Sequence, residues 1–407
     1  MHRPRADTDK SPDGESEVSS SRIEILYIID YFHRTGGTEK YLAQLIAGLP
    51  ADQFRCSVVA FDIGVNPLLD GLRTRGVPII SLPVGREYVP RAALQAWRLA
   101  RLIRAKRYDI VQTMHQKADS YGAVIAWLAG CRHLVCSKRD TGALRKPWHF
   151  FVNRRLRSLF EACIVVADAV RAAVLANDRI APDRIVTIYN GVDTTRFSPP
   201  DAGQRASARA RLGFGAEDFV VGMVAGFRPE KNHDTFFAGV QRALPNIAPL
   251  KVLAVGAGPT LARWREQIAG TELSSRTVFT GDVADVVSCL WAMDVGCLTP
   301  GSNEGFSNAV IEQMAVGLPM IATAVGGNEE ALQNGESGHI IAPGDEVALA
   351  RTLTSLYVEP LRRGAMGRAA RRRVEEKFSL AHMCTAHALL YRSLCGRPAV
   401  VHGTDRD

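Results

Sequence analysis

No stretch of this 407-residue chain strings together the ~18 apolar residues that a helix needs to cross a bilayer, so no membrane-spanning helix is expected. Residues 1–21 hold no apolar segment of the kind a secretory leader requires, and with little to bury they read as a disordered tail. Eight cysteines lie scattered at positions 56, 131, 136, 163, 289, 297, 384 and 395. They form no Cys-x-x-Cys pair and have no histidine pair at zinc-finger spacing. Cys56, Cys163 and Cys289 sit inside apolar stretches, where a free thiol packs as a small apolar group. That usage implies a reducing, cytoplasmic compartment. Also missing are a Gly-x-Ser-x-Gly elbow, a His-Glu-x-x-His pair and a Gly-x-x-x-x-Gly-Lys-Ser/Thr loop. The two Asp-x-Asp pairs, at 7–9 and 405–407, fall in the terminal segments, so neither a metal nor a cofactor is expected.

What the chain does have is an excess of basic residues, 50 Lys and Arg against 42 Asp and Glu, for a formal charge of +8. The excess points to an acidic partner. In residues 91–107, Leu94, Trp97, Leu99, Ala100 and Ile103 form an apolar side with Arg98, Arg101, Arg104 and Lys106 around it. A solvated helix face explains this, and so does docking to an anionic membrane surface. Nucleic acid is not expected, because no basic patch is interleaved with aromatics.

Short apolar runs alternate with segments of helical spacing. The runs lie at 23–30, 56–61, 77–82, 109–114, 133–137, 163–167 and 185–190, and again at 219–225, 250–256, 276–281, 295–300, 319–324 and 338–343. Strands that are apolar without alternation are covered on both faces, which marks parallel sheets sandwiched by helices. The turn-rich break "NGVDTTRFSPPDAG" separates the two series. The expected class is α/β, with two doubly wound, Rossmann-like parallel-sheet domains facing each other across a cleft. The expected boundaries are a tail over 1–21, a first domain over 22–190 and a linker over 191–218. A second domain over 219–378, a helix over 379–395 crossing back to the first domain and a tail over 396–407 complete the chain.

Three strand-to-helix turns can carry chemistry. In "NEGFSNAVIE", Gly305 permits a tight bend, Ser307 or Asn308 can cap the helix, and the first-turn amides can receive phosphate oxygens. Glu304 and Glu312 flank that anion site. A carboxylate repels phosphate, so their use is to accept hydrogen bonds from sugar or ribose hydroxyls. In "GFRPEKNHD", Arg228 and Lys231 can neutralise a departing diphosphate. In "RTGGTEKY", Gly36 and Gly37 let backbone amides approach an anionic ligand, with Thr38 as a candidate cap. His115, at the end of a strand, is placed toward the cleft.

The order of the Gly-Gly loop, "IYNGVD", "RPEKN", "VGAGP", "EGFSNAVIEQMAVGLPMIAT" and "VGGNEE" resembles the family 4 glycosyltransferases, which have the GT-B fold. The resemblance implies metal-free transfer of a sugar from a nucleotide sugar (a UDP- or GDP-sugar), with retention of configuration, to a glycan or lipid-linked acceptor. It implies that Glu304 contacts the donor sugar, that Glu312 holds the ribose and that the backbone of Gly305, Phe306, Ser307 and Asn308 meets sugar and phosphates. Lys231 grips the diphosphate on this reading, and Gly36–Gly37 closes on it. The family arginine five residues before that lysine is replaced here by Gly226, which leaves Arg228 as its substitute. Where many members have a histidine near the donor sugar, "CSKRDTG" offers Arg139 or Asp140. The expected setting is polysaccharide or glycolipid synthesis in the cytoplasm or on the inner membrane face. Alternatives are an epimerase or sugar phosphorylase on the same fold, or an inactive glycan- or nucleotide-binding module.

Overall fold

A computed structural model describes residues 22–33, 36–85, 90–143 and 145–397. The expected tail over 1–21, and all but the start of the one over 396–407, lie outside the described residues.

The first sheet contains β1 (Ile23–Ile29), β2 (Phe54–Ala60), β3 (Ile79–Ser81), β4 (Ile110–Met114), β5 (His133–Lys138), β6 (Ala162–Val165) and β7 (Ile185–Thr187). The second contains β8 (Phe219–Val224), β9 (Leu250–Val255), β10 (Thr277–Gly281), β11 (Val295–Leu298), β12 (Met320–Thr323) and β13 (Gly338–Ile341). Their orders are β3-β2-β1-β4-β5-β6-β7 and β10-β9-β8-β11-β12-β13, and every pairing is parallel.

The apolar runs explain this arrangement. In β1, Ile23, Ile25, Tyr27 and Ile29 enter one core while Leu26 and Ile28 enter the other. Successive side chains point to opposite faces, so a strand covered on both sides must be apolar at both parities. Each sheet reverses its winding beside its first strand, between β1 and β4 and between β8 and β11. A crevice opens at such a switch point beyond the carboxyl ends of the strands.

The chain passes between the domains twice, and the two passages touch. Val192 N–H donates to the Phe378 carbonyl at 2.9 Å, and Leu380 N–H donates to the Val192 carbonyl at 2.9 Å. A Cβ at Gly191 would lie 2.7 Å from the Leu380 Cα, so only glycine fits that crossing. The final helix, Leu380–Leu394, then packs on the first sheet. Its Tyr391 hydroxyl donates to Gln112 Oε1 at 2.7 Å, and His387 Nε2 lies 2.5 Å from the Tyr41 hydroxyl.

Two expectations need correction. The segment expected as a linker over 191–218 contains the helix Ala202–Arg211. Asp201 and Gln204 form a reciprocal capping box at its start. Arg205 and Arg209 fasten it to the second domain through Asp294, at 2.8 and 2.6 Å. The basic helix Pro90–Lys106 does not gather its apolar residues on one side. Leu99 and Ile103 are buried, whereas Leu94 and Trp97 are about half exposed, with the Arg101 guanidinium 5.4 Å from the Trp97 ring.

Candidate active site

Glu304 follows β11 and comes just before the helix Asn308–Ala315, whose N-cap is Ser307. The Ser307 hydroxyl makes no capping bond, so the first-turn amides of this helix are left to other acceptors. Lys231 closes the short 3-10 turn Pro229–Lys231 after β8. The next residue, Asn232, turns the chain with φ of 48° and caps the helix His233–Ala243 through Thr235 N–H. That turn aims Lys231 across the switch point, and its Nζ lies 2.5 Å from Glu304 Oε2. An acid and a base 73 positions apart in sequence thus meet at the carboxyl edge of the second sheet.

Lys231 and Glu304 line a cleft of about 530 Å³ between the domains. Glu312 lies one turn into the helix after Asn308, with its carboxyl in the same cleft. Burial raises its pKa above the ordinary glutamate value, and the charges of Lys40 and Arg196 oppose the shift in part. Arg228 also lines the cleft and pairs with Glu230 at 3.2 Å. Beyond these polar groups the floor turns apolar, with Val224, Val255, Val283, Val286 and Leu298.

The first domain supplies the opposite wall. Gly36 is the N-cap of the helix Gly37–Gly48, and both glycines face the cleft beside Lys40 and Arg139. Thr38 lies inside the first turn and is not the cap. The domains come close at Gly305, where a Cβ would collide with the Arg139 carbonyl oxygen. Phe306 contributes backbone only, because its ring is buried against Tyr189 and Phe378.

Two expected residues stand elsewhere. His115 is not among the cleft-lining residues. It has φ of 75° and stacks on Tyr31 with ring centroids 4.6 Å apart. Burial lowers its pKa to about 4, so the ring is neutral at physiological pH. The Asp140 side chain turns away to accept from Gly142 N–H at 2.7 Å and to pair with Arg145 at 3.5 Å. Its Oδ1 closes its own loop.

Asn190 and Glu330 carry no role expected from the sequence but stand at the domain interface. Asn190 Nδ2 donates to the Phe306 carbonyl at 2.9 Å and to Asn308 Oδ1 at 2.7 Å, while Asn190 Oδ1 accepts from Arg139 Nη2 at 2.5 Å. The Glu330 carboxylate accepts from the Asp168 and Ala169 N–H groups, at 2.7 and 3.0 Å, at the start of the helix Asp168–Asn177. That places a second-domain anion on the positive end of a first-domain helix. The motifs "IYNGVD" and "VGGNEE" were the signals, but neither shows its contacts in one dimension.

Comparison with known proteins agrees with this architecture. Residues 35–196 match the family model Glycosyltransferase Family 4, and residues 204–373 match Glycosyl transferases group 1. The chain is 28% identical to the lipopolysaccharide core biosynthesis mannosyltransferase LpsB of Rhizobium meliloti (strain 1021), over 63% of this chain and 70% of that protein. It is 34% identical to the D-inositol 3-phosphate glycosyltransferase of Rhodococcus jostii (strain RHA1), over 51% of this chain and 47% of that one. Among solved structures, Anabaena HepE in complex with UDP and glucose superposes with a TM-score of 0.80 at 21% identity, covering 90% of this chain and 99% of that one. WaaG, a glycosyltransferase of lipopolysaccharide biosynthesis, superposes with a TM-score of 0.69 at 16% identity, covering 91% of this chain and 100% of that one. The fold, the cleft and both family matches lead to one conclusion: the chain belongs to the family 4 glycosyltransferases and has the GT-B fold.

Proposed function

We propose that this glycosyltransferase moves a hexose from a nucleotide sugar to a glycan or lipid-linked acceptor, with retention and without a metal. The observation that carries this reading is the Lys231–Glu304 pair, 2.5 Å apart beside an uncapped helix start, with Glu312 one turn further on. The apolar floor at Val224, Val255, Val283, Val286 and Leu298 suits a nucleobase. Glu312 accepts hydrogen bonds from the ribose hydroxyls, which supply polar partners to a carboxylate that burial disfavours in its charged form. The diphosphate lies over the first turn of the helix Asn308–Ala315, and Lys231 and Arg228 meet the charge that grows as it leaves. Glu304 orients the sugar. The acceptor oxygen bonds to the anomeric carbon on the face the diphosphate departs from, and its proton passes to the departing phosphate oxygen. LpsB is by name a mannosyltransferase of lipopolysaccharide core biosynthesis, and HepE was solved with UDP and glucose. That likeness supports the donor class.

No described helix is long and apolar enough to cross a membrane. The first domain does expose Leu94, Trp97, Trp127, Leu128, Trp148 and Phe151 on three of its helices. With Arg98 and Arg101 on the same outward face as Leu94 and Trp97, this surface suits peripheral docking to anionic lipid.

Thermal-shift screening of UDP, GDP, ADP and their sugars tests the donor reading. A cognate nucleotide raises Tm, and the cognate sugar is then consumed only when acceptor is present. Conversion of the donor alone indicates an epimerase, and the absence of any nucleotide response removes the reading.

A further inference from the structure

The cations on the second-domain wall of the cleft are already engaged. Lys231 faces Glu304 at 2.5 Å, and Arg228 faces Glu230 at 3.2 Å. The opposite wall holds a cation in a different state. Arg139 stacks its guanidinium 3.5 Å from the centroid of the Tyr41 ring and donates from Nη2 to Asn190 Oδ1 at 2.5 Å. Both partners are uncharged. Its Nη1 is sealed from solvent and has no hydrogen-bond partner. Arg139 makes no ion pair among the described residues, and burial pulls its pKa down to about 10, with Tyr41, Asp140 and Glu39 opposing the shift. A guanidinium withdrawn from water normally has a carboxylate or phosphate against it, because an unpaired buried charge is costly.

We infer that Arg139 is the first domain's contact to the donor, its Nη1 taking an anionic oxygen of the bound nucleotide sugar. The inference rests on the nucleotide-sugar reading of the cleft. Three features support it. Arg139 lines that cleft together with Gly36 and Gly37, at the start of the helix Gly37–Gly48, whose first turn also holds the buried Glu39 carboxylate. Asn190, which holds the guanidinium, also binds the Phe306 carbonyl and the Asn308 side chain, so the same residue positions Arg139 and the second-domain loop. The planar fork can give Nη1, covered in this arrangement, to a phosphate or carboxylate oxygen that uncovers it while Nη2 stays anchored. The anion is thereby held from both lobes. Its source is either the diphosphate or a carboxylate on the sugar.

Calorimetric titration of Arg139→Gln and Arg139→Lys with UDP, GDP, uridine, guanosine, UDP-glucose and UDP-glucuronate tests the inference, with circular dichroism and Tm reporting the fold. For whichever diphosphate the wild-type protein binds, Arg139→Gln is expected to bind at least tenfold more weakly, while the matching nucleoside is unaffected and Arg139→Lys recovers part of the loss. Unchanged diphosphate binding with selective loss of UDP-glucuronate relative to UDP-glucose assigns the contact to a sugar carboxylate. Folded variants that hold every probe within twofold of wild type overturn the inference and leave the donor reading intact. If Arg139→Gln fails to fold, undiminished diphosphate binding by Arg139→Lys overturns it instead. Wild-type protein that binds none of these nucleotides removes the donor reading, and this inference with it.

Discussion

Lys231 Nζ and Glu304 Oε2 stand 2.5 Å apart although 73 positions separate the two residues in sequence. One closes the turn after β8 and the other begins the turn after β11, and these strands are neighbours in the sheet. A donor bound between them meets a fixed cation and a fixed carboxylate whose mutual pairing sets their geometry beforehand.

Glu304→Ala should lower turnover by about two to three orders of magnitude, the scale of losing one well-placed polar contact to a reacting group. Its Tm should stay within a few degrees of wild type. Steady-state transfer assays with the cognate donor check this, and near-normal turnover by the folded variant removes the assignment.

Lys231→Ala leaves Glu304 without its counter-ion and the leaving diphosphate without a cation. A kcat loss of roughly a hundredfold or more is expected, with a smaller change in KM. Lys231→Arg should restore part of it. Equal losses in the two variants would point to packing instead of charge.

Glu312 sets function against stability. Burial raises its folded-state pKa above the unfolded value, so its charged form is disfavoured in the native protein. The native state then holds the extra proton, and this residue's contribution falls as pH rises through the raised pKa. At neutral pH, Glu312→Gln should match or exceed the wild-type Tm in the absence of nucleotide, yet bind the cognate nucleotide about tenfold more weakly. A variant that loses stability while binding normally contradicts both halves.

Gly305→Ala should separate the lobes at the cleft, because the added methyl meets the Arg139 carbonyl. Weaker nucleotide binding and a larger radius of gyration by small-angle scattering are the expected outcomes. An unchanged radius with normal affinity would show that the contact yields at no cost.

Trp97 and Arg101 offer a test of membrane docking away from the cleft. Trp97→Ala combined with Arg101→Glu should abolish sedimentation with vesicles containing anionic phospholipid, and leave transfer to a water-soluble acceptor within about twofold. Wild-type protein that does not sediment with such vesicles ends the docking reading.

Much of the fold was legible in order along the chain, because a strand buried on both faces must be apolar at both parities. The thirteen runs from "IEILYIID" to "GHIIAP" therefore mark the thirteen strands of the described residues to within a few positions. The placement of Glu304 and Glu312 around one helix start was equally local, since eight residues of chain determine it. The helix within the linker has a local signal in its Asp201–Gln204 capping box, but Asp294, which fastens it to the second domain, is remote in sequence.

By itself the sequence determined the alternation of strand and helix, the turns able to bend tightly, and which acids and bases border those turns. Only the tertiary structure decided that Lys231 meets Glu304, that Asn190 joins Arg139 to the Phe306–Asn308 turn, and that His115 and Asp140 spend their side chains outside the cleft. The physical reason is that strand order and domain approach bring together groups tens to hundreds of residues apart. No spacing along the chain encodes which of them will share a wall.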